Sequence, residues 1–191
     1  GKISDMGSVQ YEAKRVIDAA GKCVSPGFID IHMHEEDFSL TKKKEYDISD
    51  AMLNMGVTTC VVGNCGNNRQ SIEELYDFIQ EKGNPVNYMS YIGHNYLRNQ
   101  VGNTDIHKES SRGQIARMQE LVASAIDFGA VGLSYGLEYC PGISTEEAIE
   151  VAKKIHSRKD LLLAAHYRKD SIYALESIKE MAEIGKEAGI P

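Results

Sequence analysis

The segment Pro26-Gly-Phe-Ile-Asp-Ile-His-Met-His34 opens on a breaker pair and runs through an apolar stretch into two histidines two residues apart. Side chains on a β-strand alternate with period two, so Asp30, His32 and His34 are expected on one face and Ile29, Ile31 and Met33 on the other. Two imidazoles converging at a strand end suit metal ligation. They equally suit a strand leaving the core with each ring hydrogen-bonded to its neighbours, and the spacing alone leaves both open.

Outward from this segment, strand, loop and helix repeat. Short, mostly apolar runs at 28–32, 57–63, 86–92, 130–134 and 161–166 have the character of parallel strands covered by helices. Between them, Ile115, Met118, Leu121, Val122 and Ile126 recur at spacings of three and four, predicting a helix over 114–127 with one apolar stripe. Ser71 with Glu74 forms a capping box before a helix over 72–82; Ser144 with Glu147 forms another, with Ile143 placed to staple against Ala148. A weaker helix is expected over 46–55, and a last one begins near Asp170-Ser171 and is expected to bury Ile172, Leu175, Ile178 and Met181.

Strands alternating with helices imply βα units with right-handed crossovers. Five such units fit either an open doubly wound sheet or part of a barrel. No GxGxxG fingerprint is present, and residues capable of chemistry lie at the C-terminal ends of several strands, as in barrels. The expected fold is therefore α/β: a partial (β/α)8 TIM-like barrel over residues 28–191. Residues 1–27 are expected to belong to a small β-domain, with Lys14-Arg-Val-Ile-Asp-Ala-Ala-Gly21 and Cys23-Val-Ser25 giving strand, turn and strand at its edge. A full barrel takes about 250 residues, whereas this chain has 191. The expectation is that it is truncated before a sixth strand, and that the C-terminal remainder of the barrel is required.

Composition removes several classes of function. A net charge of -7, with basic residues dispersed, argues against nucleic acid as a partner. No run reaches the roughly 18 apolar residues of a membrane helix. Four widely spaced cysteines without a CxxC pair are expected to be reduced, which favours a cytoplasmic location.

Further candidates lie at other strand ends. Cys65 sits in Val62-Gly-Asn-Cys-Gly66, where thiolate and imidazole together suit zinc, although a cysteine filling a core gap is the ordinary alternative and the one expected for Cys23 and Cys60. His166 closes the fifth strand, as a ligand or as a support for one. His94 follows the third strand, as ligand, support or loop residue, while His107 and His156 are expected to be solvated. Asp30 is placed to accept a ring proton from a ligating histidine. Glu138 and Tyr139 offer a carboxylate and a phenol at the same mouth, or simply turn chemistry around Pro141-Gly142. Arg168 has two expected partners, a substrate carboxylate or a nearby acidic side chain.

These motifs resemble a known family. Val24-Ser-Pro-Gly-Phe-Ile-Asp-Ile-His-Met-His34 is similar to the first-strand signature of the metal-dependent amidohydrolase superfamily. Gly56-Val-Thr-Thr-Cys-Val-Val-Gly-Asn-Cys-Gly66, Gly93-His94, Gly132-Leu-Ser-Tyr-Gly-Leu-Glu-Tyr-Cys-Pro-Gly142 and Ala165-His-Tyr-Arg168 together resemble its N-acyl-D-amino-acid deacylase branch, the D-aminoacylases. The resemblance implies zinc, one ion or two, with His32 and His34 at one metal position, Cys65 in the bridging place and His166 as a ligand of the tighter position. It implies that Tyr139 lies near the scissile amide of an N-acyl-D-amino acid, which is hydrolysed to a carboxylate and a D-amino acid. It also places a further histidine, a catalytic aspartate and an arginine for the substrate carboxylate beyond Pro191. Glu35, Glu36 and Asp37 stand where relatives often carry one or two aspartates. Two alternatives remain beside it: a dihydroorotase-like or hydantoinase-like cyclic amidase, disfavoured by the cysteine, and a catalytically inactive metal-binding fragment.

Overall fold

A computed structural model describes residues 2–8, 11–34, 47–156 and 158–190. Glu35, Glu36 and Asp37 lie outside the described residues. The strands are β1 (Phe28–Asp30), β2 (Val57–Val62), β3 (Asn87–Ser90), β4 (Ile92–Gly93), β5 (Gly132–Gly136) and β6 (Leu162–His166). The helices are α1 (Asp47–Asn54), α2 (Ile72–Lys82), α3 (His94–Gln100), α4 (Arg112–Asp127), α5 (Thr145–Ala152) and α6 (Ala174–Ala188).

All ladders are parallel, in the orders β1-β2-β3 and β4-β5-β6. The expected third strand is divided at Tyr91, yet its two halves bridge the same neighbours. Tyr91 N–H donates to Val62 O at 3.0 Å and Val131 N–H donates to Ser90 O at 2.9 Å. Strand order therefore follows chain order without the reversal that defines a doubly wound sheet, and the fold is a partial (β/α) barrel.

Local chemistry explains most boundaries. Ser71 and Glu74 make the reciprocal capping box that starts α2, and Ser111 with Gln114 makes a second one that starts α4 two residues before the expected start. Ser144 Oγ accepts the Glu147 N–H at 3.1 Å, but the Glu147 carboxylate turns inward instead of completing the box. Ile143 and Ala148 are both fully buried in the main core, as the staple requires. Helix α3 replaces the loop around His94; its seven residues follow Gly93, which offers no capping side chain, so no start signal stood in the sequence.

Two regions depart from expectation. The turn before Cys23 is present, with Lys22 N–H donating to Ala19 O at 2.9 Å, but residues 11–27 form no ladder among the described residues. Cys23 is exposed, not a core filler, whereas Cys60 is buried beside Val62 and Leu75. In α6 the buried side chains are Ser177, Ile184 and Ala188 and Met181 packs partly buried against the main core, while Ile172, just ahead of the helix, Leu175 and Ile178 are exposed. The helix contacts α5 through the adjacent face, which leaves the expected stripe looking outward past β6.

Candidate metal centre

Strand β1 ends where the Asp30 carboxylate accepts the His32 backbone N–H at 2.9 Å. Asp30 thus holds the chain, not an imidazole proton, and the next two residues bend. Met33 restores the link to β2 by donating to Val61 O at 3.1 Å, and its side chain is buried. Asn64, itself buried, donates through Nδ2 to Met33 O at 3.2 Å and Val61 O at 2.9 Å. One amide therefore fastens the histidine segment to the turn that carries Cys65.

That turn is built against steric preference. Cys65 has φ +56°, a left-handed conformation uncommon for a residue with a Cβ, and Gly63 and Gly66 beside it have φ +73° and +77°. Ser134 on β5 spans the turn, its hydroxyl accepting Gly66 N–H at 3.1 Å and donating to Gly63 O. Asn67 Nδ2 donates to Cys65 O at 3.1 Å. A Cβ on Gly63 would sit 2.2 Å from Tyr91 O. Gly63→Ala is expected to destabilise the fold by at least about 2 kcal/mol, read from urea unfolding, since strain and a backbone clash add.

The product is a compact donor set. The ligand atoms of His32, His34 and Cys65 all lie within 4.8 Å of one another, and His32 Nε2 is 3.5 Å from Cys65 Sγ. Zinc bonds of about 2.0–2.1 Å to nitrogen and 2.3 Å to sulfur at a tetrahedral angle put the two donors about 3.5 Å apart, so the donor set fits zinc. The two histidine rings stand nearly perpendicular, with centroids 5.8 Å apart. Both are exposed, whereas the thiol is buried, and burial pushes the Cys65 pKa up. Without a cation the thiol therefore keeps its proton.

His166, at the end of β6, lies outside this three-residue cluster. Its Nδ1 is 3.0 Å from the Tyr139 hydroxyl and its Nε2 is 2.5 Å from Glu138 Oε2. The Tyr139 phenol is raised by desolvation, then by the acidic groups Cys65, Glu138 and Asp170 as they ionise, so it stays protonated.

Other candidates have structural roles. His94 is fully buried at the start of α3, its Nε2 3.1 Å from Glu147 Oε1 and its ring edge-on to Tyr135. Arg168 pairs with Glu180 at 2.7 Å and donates to Ile143 O at 2.8 Å, bracing the loop after β5 through the acidic partner. His156 is not merely solvated: its Nδ1 lies 2.8 Å from Ala188 O, at the end of α6. His107 is exposed as expected. Sequence patterns missed Asn64 and Ser134, although the run Asn64-Cys-Gly-Asn-Asn68 offered a clue, being rich in side chains that satisfy turn backbone.

Imidazoles and a thiol gathered at the ends of parallel barrel strands define a (β/α) barrel protein with a candidate metal site. The chain belongs to the amidohydrolase family, whose pattern matches residues 15–137. It is 29% identical to the D-aminoacylase of Alcaligenes xylosoxydans xylosoxydans over 216 residues, covering all of this chain and 43% of that one. A crystal structure of D-aminoacylase superposes with a TM-score of 0.75 at 28% identity, covering 87% of this chain and 39% of the other. N-acyl-D-glutamate deacylase from Bordetella bronchiseptica, complexed with zinc and a phosphonate inhibitor, gives 0.79 at 26% identity, with 90% and 40% covered. The chain spans about two fifths of the length of these relatives.

Proposed function

We propose that the protein is a zinc-dependent amidohydrolase that cleaves the amide of N-acyl-D-amino acids, releasing a carboxylate and a D-amino acid. The observation that carries this is the His32, His34 and Cys65 donor set at the ends of adjacent barrel strands. His32, His34 and Cys65 would hold the metal, with His166 as a further ligand. Zinc, when bound there, supplies Lewis acidity. Tyr139, kept protonated, is the group on this chain suited to donate a hydrogen bond to the acyl oxygen.

The remaining donors and the acid/base carboxylate are assigned to the C-terminal remainder of the barrel. A groove of about 460 Å³ bounded by Leu163, Ala165, Ile178, Met181 and Ile190 runs along β6 and α6, an apolar face that a further βα unit would cover. Residues 1–27 are assigned to the edge of a small β-domain. None of the helices among the described residues is long and apolar enough to cross a membrane. The four cysteines stand as thiols, which favours a cytoplasmic location within this proposal.

The test is amine release by the zinc-loaded full-length protein from paired N-acetyl-D- and N-acetyl-L-amino acids. D-isomers are expected to be hydrolysed at least about 100-fold faster, a difference of about 2.7 kcal/mol in the transition state. Exclusive turnover of L-isomers, or of a cyclic amide such as dihydroorotate, would overturn the assignment.

A further inference from the structure

We propose that Glu138 is a positioning residue that selects the tautomer of His166 and so decides which ring nitrogen is available to a cation. An ionised carboxylate can only accept hydrogen bonds, and Glu138 Oε2 lies 2.5 Å from His166 Nε2, so Nε2 carries the hydrogen. The neutral ring that a cation requires has one N–H, so Nδ1 holds the lone pair. Tyr139 agrees with this: its hydroxyl, 3.0 Å from Nδ1, is a donor, and its ring packs 4.5 Å from the imidazole. Two consecutive residues of the loop after β5 thus grip opposite nitrogens of one histidine from β6 and impose the same tautomer.

The two grips differ in what a cation would disturb. Glu138 holds the nitrogen that keeps its hydrogen and remains bonded when Nδ1 is used. Tyr139 occupies the lone pair itself and gives it up by rotating its hydroxyl, which releases its proton as a hydrogen-bond donor. The sequence pair Glu138-Tyr139 therefore combines a fixed orienting bond with a displaceable one. Carboxylates that accept the second N–H of a ligating histidine fix ring orientation and raise donor strength, and their loss costs about 10–100-fold in metal affinity.

The proposal rests on the ligand role assigned to His166, and the experiment separates the two. In metal-free full-length protein labelled with ¹⁵N-histidine, long-range proton–nitrogen correlation is expected to show His166 protonated at Nε2. Glu138→Ala is expected to shift His166 toward a mixture of tautomers and weaken cobalt binding, followed by its visible absorption, by about 10–100-fold. Glu138→Gln, whose amide oxygen still accepts from Nε2, is expected to recover most of both. Because Glu138 is half exposed, equal thermal melting of the three proteins is expected. Unchanged tautomer and cobalt affinity in Glu138→Ala would overturn the proposal. Unchanged cobalt affinity in His166→Ala would instead overturn the ligand role.

Discussion

Cys65→Ala is expected to weaken zinc binding by more than about 100-fold, beyond the range seen when only a supporting group is lost, and to abolish the proposed amide hydrolysis without unfolding the protein. The thiol is the one buried, soft donor of the cluster, 3.5 Å from His32 Nε2. Alanine keeps the Cβ, so the left-handed backbone at φ +56° is no more strained than before. Removing one sulfur atom from the turn leaves only a small void, of order 1 kcal/mol. Cys60→Ala provides the contrast. Cys60 is fully buried in the core beneath β2, so its loss is expected to cost stability and leave zinc unchanged. Cys65→Ser should fall between wild type and alanine, because a hydroxyl is a harder and weaker zinc donor than a thiolate. Competition against a chelator measures the affinities, and urea unfolding measures the stabilities. Equal zinc affinity in Cys65→Ala and wild type would remove Cys65 from the site.

The parts of this molecule that were legible in its sequence are those set by short-range rules. Short apolar runs located the strands and period-3.6 patterns most helices, because burial demands them, and Ser71-Glu74 marked a helix start through a bond pair spanning three residues. The histidine and cysteine donors were legible for a related reason, since strand ends in a parallel barrel converge at one mouth. What remained hidden depends on contacts distant in sequence. Asn64 matters through the Met33 carbonyl, Ser134 through the Gly63–Gly66 turn, and Arg168 through Glu180. Glu147 illustrates the conflict: its spacing from Ser144 predicts a capping box, but a buried guanidinium competes for the carboxylate and wins. The apolar stripe of α6 is only partly covered among the described residues, with Leu175 and Ile178 exposed, because periodicity marks an apolar face and not the neighbour that covers it.

Glu147→Ala is expected to destabilise the protein by about 3–5 kcal/mol, the usual cost of leaving a buried charge without its partner. Arg98 Nη1 reaches both carboxylate oxygens, at 2.7 and 2.9 Å, and both side chains are only 1% exposed. Ser110 adds its N–H at 3.1 Å and its hydroxyl at 2.9 Å, while Arg98 Nη2 donates to the carbonyls of Asp105 and Lys108. The pair thereby fastens the loop between α3 and α4 to α5. Ile106 in that loop accepts the Gly142 N–H at 2.7 Å, which extends the tether to the segment carrying Glu138 and Tyr139. Burial alone would raise the Glu147 carboxyl, but the adjacent His94 imidazole and hydrogen bonds from Arg98 and Ser110 bring it down to about 2. A folded pKa below the unfolded value means stabilisation that is complete above about pH 4.5 and lost as pH falls toward 2. Burial also lowers the pKa of His94, so the unfolded chain begins to take up an extra proton below about pH 6.5, and this contribution has the same sign. Urea unfolding of wild type is therefore expected to show stability declining from pH 6.5 to pH 2, whereas Glu147→Gln should be weaker at pH 7 and lose less across pH 4.5 to 2. Combining Arg98→Met with Glu147→Leu should recover much of the loss caused by either change alone, because no buried charge is left unpaired. Strictly additive costs in that double variant, or an unchanged acid slope in Glu147→Gln, would show that the two groups do not act as one unit.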